Sequence, residues 1–133
     1  MSSENIGLAV RIQAGRLKEL LKWRKYLKIL VEAAGRVFGS DAEVYVFGSA
    51  VEGKLTANSD IDIAIVVEEI PKKGLERAKL MDRLWETMES NGVPWWYPFE
   101  IHLLTREELK LLKNTKLISA SKLIANLKEI RSK

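Results

Sequence analysis

The chain has 133 residues, a formal net charge of +4 and no cysteine. That length suits one globular domain with a sizeable core, and the missing cysteine excludes disulfides and thiolate metal sites. No apolar run approaches the length of a membrane span, and the amino terminus lacks the short apolar core of a secretory signal, so a cytoplasmic protein is expected.

From about Gly7 to Val37 the pattern predicts helix, as one long segment or two in succession. Leu20, Leu27, Val31, Ala34 and Phe38 follow one stripe. Between Arg11 and Arg36 the same segment carries eight basic residues (Arg11, Arg16, Lys18, Lys22, Arg24, Lys25, Lys28 and Arg36) against Glu19 and Glu32. A basic helix of this kind can follow a phosphate backbone such as that of RNA, or present a solvated face.

Residues 44 to 67, VYVFGSAVEGKLTANSDIDIAIVV, are the most informative stretch. A strand is expected over Asp41 to Phe47. Gly48 then permits a sharp turn and close approach of a ligand, and a short helix starting at Ala50 would set the hydroxyl and amide of Ser49 at its amino end, where anions are favoured. A second strand, Ile61 to Val67, is apolar on both sides and belongs inside a sheet. At its leading end stand Asp60 and Asp62. Side chains two apart on a strand share a face, so the two carboxylates can converge on one patch. They would repel each other unless a cation neutralised them, and Mg²⁺ is commonly held by one or two carboxylates together with substrate phosphates.

Pro71 to Gly74 makes a break, and Leu75 to Glu89 reads as a helix with Leu80, Leu84 and Met88 in line, ended by Asn91-Gly92. Trp95, Trp96 and Tyr97 follow, between Pro94 and Pro98. They cannot all point inward: at least one is expected to be exposed, where it can stack on a base or anchor another protein, and at least two to pack against the core. A third strand is expected from Phe99 to Leu104, with Phe99, Ile101 and Leu103 on one face and Glu100 and His102 on the other. His102, the one histidine, can hydrogen-bond the Glu100 carboxylate, contact a phosphate or serve in acid-base work. Thr105-Arg106-Glu107-Glu108 is a capping box that opens a helix, and a final helix is expected from about Ile118 to Ile130. Together these elements predict an α+β fold, a small mixed sheet backed by helices.

Gly48-Ser49, ten intervening residues and then Asp60-x-Asp62 resemble the signature of the DNA polymerase β-type nucleotidyltransferase superfamily, and more narrowly the minimal nucleotidyltransferases of bacteria and archaea. The resemblance implies a palm-like nucleotidyltransferase domain spanning 1–133, with the helical segment ahead of the catalytic strands. It assigns Gly48 and Ser49 to the nucleotide's β- and γ-phosphates. Asp60, Asp62 and Glu100 become catalytic metal ligands for two Mg²⁺ ions; many members carry Asp where this chain has Glu100. The implied reaction is attack of an acceptor hydroxyl on the α-phosphorus of a nucleoside triphosphate, most simply ATP, with pyrophosphate leaving. Members of this group are commonly paired with small helical HEPN proteins. Some pairs are toxin-antitoxin systems in which AMP is added to the HEPN partner, and that is the leading expectation here. A non-catalytic nucleotide-binding or complex-forming module and a small-molecule, aminoglycoside-type transferase are the alternatives, and a homo-oligomer is compatible with all three.

Overall fold

The computed structural model describes the backbone of residues 3–125 and the side chains of residues 6–125. In chain order the elements are helix α1 (Ser3–Leu20), helix α2 (Trp23–Phe38), strand β1 (Glu43–Phe47), the short helix α3 (Ser49–Glu52) and strand β2 (Ile61–Val67). Helix α4 (Gly74–Ser90), strand β3 (Phe99–Thr105), helix α5 (Arg106–Leu109), a 3-10 turn (Lys110–Leu112) and strand β4 (Ile118–Ser119) complete them. This is the expected α+β arrangement of a mixed sheet packed by helices.

The sheet order is β3-β2-β1-β4. β1 runs antiparallel to β2, β2 parallel to β3, and β4 antiparallel to β1. β2 is an interior strand, paired on both sides, and it is apolar on both faces: Ile61, Ile63, Ala64, Ile65, Val66 and Val67 are all buried. One face of the sheet, carrying Val44, Val46, Ile61, Ile63, Ile65, Val67 and Phe99, forms a core cluster with Trp23, Leu27 and Leu30 of α2 and Leu84 and Met88 of α4. Leu27, Leu30 and Leu84 are wholly buried, and each such side chain stabilises the fold by roughly 1.5–3 kcal/mol of removed apolar surface.

Of the two readings of the amino-terminal helical segment, two helices in succession is the observed one. No Gly or Pro separates them. The Tyr97 hydroxyl, from the loop before β3, lies 2.9 Å from the Glu19 carbonyl and 2.8 Å from the Leu20 carbonyl, two acceptors that a continuing helix would offer to its next turn. Burial of the ring, and then Tyr26 and Glu19 nearby, push the Tyr97 hydroxyl well above its ordinary pKa, so it remains a donor.

The chain departs from expectation at Ile118. Instead of starting a helix, Ile118 and Ser119 pair with Val46 and Tyr45, satisfying the edge of β1 that β2 leaves unpaired. The helix starts only at Ala120 and continues through 125. The rest of the expected helix to Ile130, and the basic segment from Lys128 to Lys133, lie outside the described residues. The aromatic loop is a second correction: Trp95 and Trp96 are exposed and only Tyr97 is buried. Tyr97 reaches the core because its ring packs against Tyr26 and Phe99, with centroids 4.7 and 4.9 Å away, and its hydroxyl finds carbonyls. No helix among the described residues is long and apolar enough to cross a membrane.

Candidate active site

The second face of the sheet carries the polar side chains. In register, Phe47 stands opposite Asp62, Asp62 beside Glu100, and Tyr45 and His102 on either side of Ala64. The parallel pairing of β2 with β3 therefore brings Asp62, Glu100 and His102 to one place, although 38 residues separate Asp62 from Glu100 in the chain. Small Ala64 leaves room above β2 for the Phe47 and His102 rings to meet, 5.5 Å between centroids.

The Gly-Ser turn joins this cluster directly. Gly48 has φ +75°, a conformation that L side chains rarely adopt, and a Cβ built on it would strike an Asp62 carboxylate oxygen and come within 3.2 Å of its Cγ. Glycine is required here twice over, by backbone angle and by the approach of the carboxylate. Ser49 then opens α3, whose first turn closes with Val51 and Glu52 amides donating to the Gly48 carbonyl.

Asp60 is set by its own loop. The Thr56 amide donates to Ser59 Oγ at 2.9 Å and the Ser59 amide returns to the Thr56 carbonyl at 3.0 Å. The Ile61 amide then donates to the Pro98 carbonyl at 2.8 Å, locking the start of β2 to the start of β3. Asp60 lies one residue before β2 and is exposed.

Ligand atoms from Asp62, Glu100 and His102 all lie within 4.8 Å of one another. His102 Nε2 is 3.7 Å from Glu100 Oε1 and 3.9 Å from Asp62 Oδ1. That nitrogen is buried and has no hydrogen-bond partner, and such an orphaned polar atom calls for an ion or water. Asp62 has its pKa raised, first by burial, then by Glu100 and Asp60, with His102 partly opposing. A half-buried carboxylate beside a second, exposed one and an imidazole with a free nitrogen fit a divalent cation. Of the three acids marked in the sequence, Asp62 and Glu100 are thus brought together. Asp60 stands outside this group of ligand atoms, though its charge reaches Asp62. The convergence of His102 on the acids was signalled in sequence only by its position two residues after Glu100 on one strand face.

Beyond Asp60 a cavity of 420 Å³ opens between the end of α1 and the aromatic loop, lined among others by Arg16, Leu20, Asn58, Asp60, Trp96 and Pro98. No spacing in the sequence marks this cavity, because α1, the 57–60 loop and the loop before β3 meet only in three dimensions.

The family model described as "Nucleotidyltransferase domain" matches residues 23–128. Spectinomycin 9-adenylyltransferase of Staphylococcus aureus is 40% identical over 76 residues, which are 55% of this chain and 28% of that protein. A Haemophilus influenzae protein named as a protein adenylyltransferase, MntA, is 44% identical over 55 residues, 41% of this chain and 44% of that protein. The chain thus matches less than half the length of either relative. A crystal structure from Sulfolobus solfataricus, described as that of a nucleotidyltransferase, overlaps 77% of this chain and 84% of its own at 24% identity and a TM-score of 0.48.

Proposed function

Because this chain belongs to the nucleotidyltransferase domain family, we propose that 1–133 acts as one catalytic unit that transfers AMP from ATP to a hydroxyl of a partner protein. The observation that carries the reading is that a Cβ on Gly48 would strike the Asp62 carboxylate, so the turn read as phosphate-binding and the acid read as metal-binding share one spot. Gly48 and Ser49 take the β- and γ-phosphates, and the missing Cβ at Gly48 lets the Asp62 carboxylate, with the metal it would hold, stand against the same turn. Asp62 and Glu100 hold the divalent metal, with Asp60 completing the carboxylate set from the exposed side. When bound, two Mg²⁺ ions would acidify the acceptor hydroxyl and neutralise charge on the triphosphate. Glu100, more exposed at 54% than Asp62 or His102, can accept the proton of the acceptor hydroxyl.

Topology supports one direction of attack. The Gly48 turn leaves β1 on one side of β2, and Trp96 and Pro98 precede β3 on the other. In-line displacement puts the incoming hydroxyl opposite the leaving pyrophosphate, so the acceptor enters from the Trp96 side, where the cavity opens beside Asp60.

A protein acceptor is favoured by exposed apolar side chains along α1, Ile6, Leu8, Val10 and Ile12, which suit a helical partner. A HEPN-class protein, in a toxin-antitoxin pair, is the partner we assign. A cytoplasmic setting follows from an ATP-dependent reaction. The second reading, a small-molecule acceptor, rests on the cavity and on the likeness to the spectinomycin enzyme. Incubating the chain with Mg²⁺, α-labelled ATP and either a HEPN protein encoded beside it or spectinomycin separates them. Label on the protein supports the first and label on the drug the second. Intact ATP binding with neither product would leave a non-catalytic nucleotide-binding module.

A further inference from the structure

We infer that α1 is a docking track for a helix of the acceptor protein, which packs along Ile6, Val10, Gln13 and Leu17 and so delivers its hydroxyl to the cavity beside Asp60. This rests on the transfer reading above and goes beyond it in naming the surface that selects the acceptor and the pattern the acceptor must carry.

α1 lies ahead of the residues that match the family, 23–128, so the shared domain does not account for it. Within α1, Ile6, Val10, Gln13, Leu17 and Leu20 recur at steps of four, three, four and three. Such steps keep side chains in one stripe on a helix and make the seam along which a second helix packs. The stripe is covered only toward its end: Ile6 and Val10 are exposed, whereas Leu20 is buried. Beside it runs a groove lined by Ala9, Val10, Gln13, Ala14, Leu17 and Ala57, with Gln13 the one polar side chain. An extended segment laid there would leave its backbone N–H and C=O groups unbonded, while a helix satisfies its own. A single polar residue in an apolar seam also fixes the register of the partner helix.

The groove leads to the reaction. Ala57 lines both the groove and the cavity that Arg16, Leu20, Asp60 and Trp96 also line, so the two are continuous along α1. The α1 residues of the cavity centre about five positions, or about 7 Å, beyond those of the groove. A helix alongside α1 therefore carries its acceptor hydroxyl about one turn past its apolar contacts. Apolar side chains then fall about three or four and about seven residues to one side of the hydroxyl residue. A second copy of α1 does not meet this requirement, because residues 4–20 contain no serine, threonine or tyrosine.

The test uses the full chain with Mg²⁺, α-labelled ATP and the helical protein encoded beside it. Val10→Asp and Ala14→Glu, which place a charge on the seam and in the groove, should each raise KM for that protein at least about tenfold. Neither should move kcat or ATP affinity by more than about twofold, since only docking is lost. Leu111→Asp, at an apolar site exposed to 83% in the 3-10 turn, is the control and should change none of these. Melting followed by circular dichroism checks that each variant is folded. Mass spectrometry should find the labelled residue with apolar neighbours at the spacing above, and Asp at the nearer of them should block labelling. If the wild type labels the protein and both α1 variants keep its KM, the docking inference is overturned while transfer stands. The same holds if the labelled residue lacks those neighbours, or if the free chain is a dimer that Val10→Asp dissolves without affecting labelling. If the wild type binds ATP and labels no protein, the transfer reading itself fails, and the docking track with it.

Discussion

In the proposed reaction, Asp62 is the residue at which function and stability oppose each other. Burial, Glu100 and Asp60 raise its pKa in the folded chain, so folding favours the protonated acid. Stability from this group is therefore full below its unfolded pKa, near 3.9, and falls as pH rises through the folded value. Asp62→Asn is expected to raise the metal-free melting temperature by a few degrees at pH 7, with the gain vanishing in acid. The same variant should lose label transfer by at least about a hundredfold. A variant melting below wild type at neutral pH would show that the carboxylate is stabilising. Gly48→Ala tests the adjoining turn. Its methyl would meet the Asp62 carboxylate at a positive φ, costing about 1–3 kcal/mol and abolishing ATP binding, as read by denaturant melts and calorimetry.

At the scale of elements, the break between α1 and α2 depends on a side chain from a distant loop. Tyr97→Phe keeps the ring packing and removes the donor to the Glu19 and Leu20 carbonyls. It should cost about 1–2 kcal/mol and speed amide exchange around residues 20–24, with little change in the sheet. On the sheet's second face, Glu43 accepts from the Tyr45 hydroxyl at 2.6 Å and from Arg106 at 3.1 Å. Tyr45 first and Arg106 second lower the Glu43 pKa. A depressed carboxylate contributes stability above its unfolded pKa, about 4.3, and loses it as pH falls through the folded value. Glu43→Gln should therefore melt lower than wild type at pH 7, and the two curves should converge toward pH 3. Arg106 also pairs with Glu68, so α5 is tied to the ends of both β1 and β2.

At the scale of the whole molecule, two surfaces stand open among the described residues. One is α1, whose exposed apolar residues, Val10 at 62% above all, have no counterpart to cover them among the described residues. Val10→Asp should abolish association with the partner protein while leaving ATP binding unchanged; light scattering on the mixture reads the first and calorimetry the second. If the chain alone scatters as twice its 15.1 kDa, a second copy covers α1 instead. The other surface is the Arg16 and Trp96 cavity. Trp96→Ala should raise KM for the acceptor by roughly tenfold and leave that for ATP within twofold. The basic stretch of α1 and α2 is partly occupied by its own chain: Lys22 pairs with Glu19 at 2.6 Å, and Arg24 and Lys25 lie over the Trp23 and Tyr26 rings. That leaves fewer free cations for RNA than the sequence suggests.

The sequence by itself determined the elements whose causes are local. Alternation marked β3, the doubly apolar run marked β2 as central, and the Thr105–Glu108 capping box, present with both its hydrogen bonds, marked the start of α5. The spacing of Gly48-Ser49 from Asp60-x-Asp62 announced the nucleotidyltransferase family, because a short motif resembles its relatives in the sequence itself. What needed tertiary structure were the arrangements whose partners lie far apart in the chain. Ile118 became a strand because the edge of β1 was open to it. The long amino-terminal helix broke at Leu21 because Tyr97 supplied a bond from 77 residues away. His102 joined Asp62 because β2 and β3 run parallel with Asp62 beside Glu100. Side-chain periodicity fixes the face on which a residue stands; only strand register decides which residues of other strands meet it there, and the site is a matter of register.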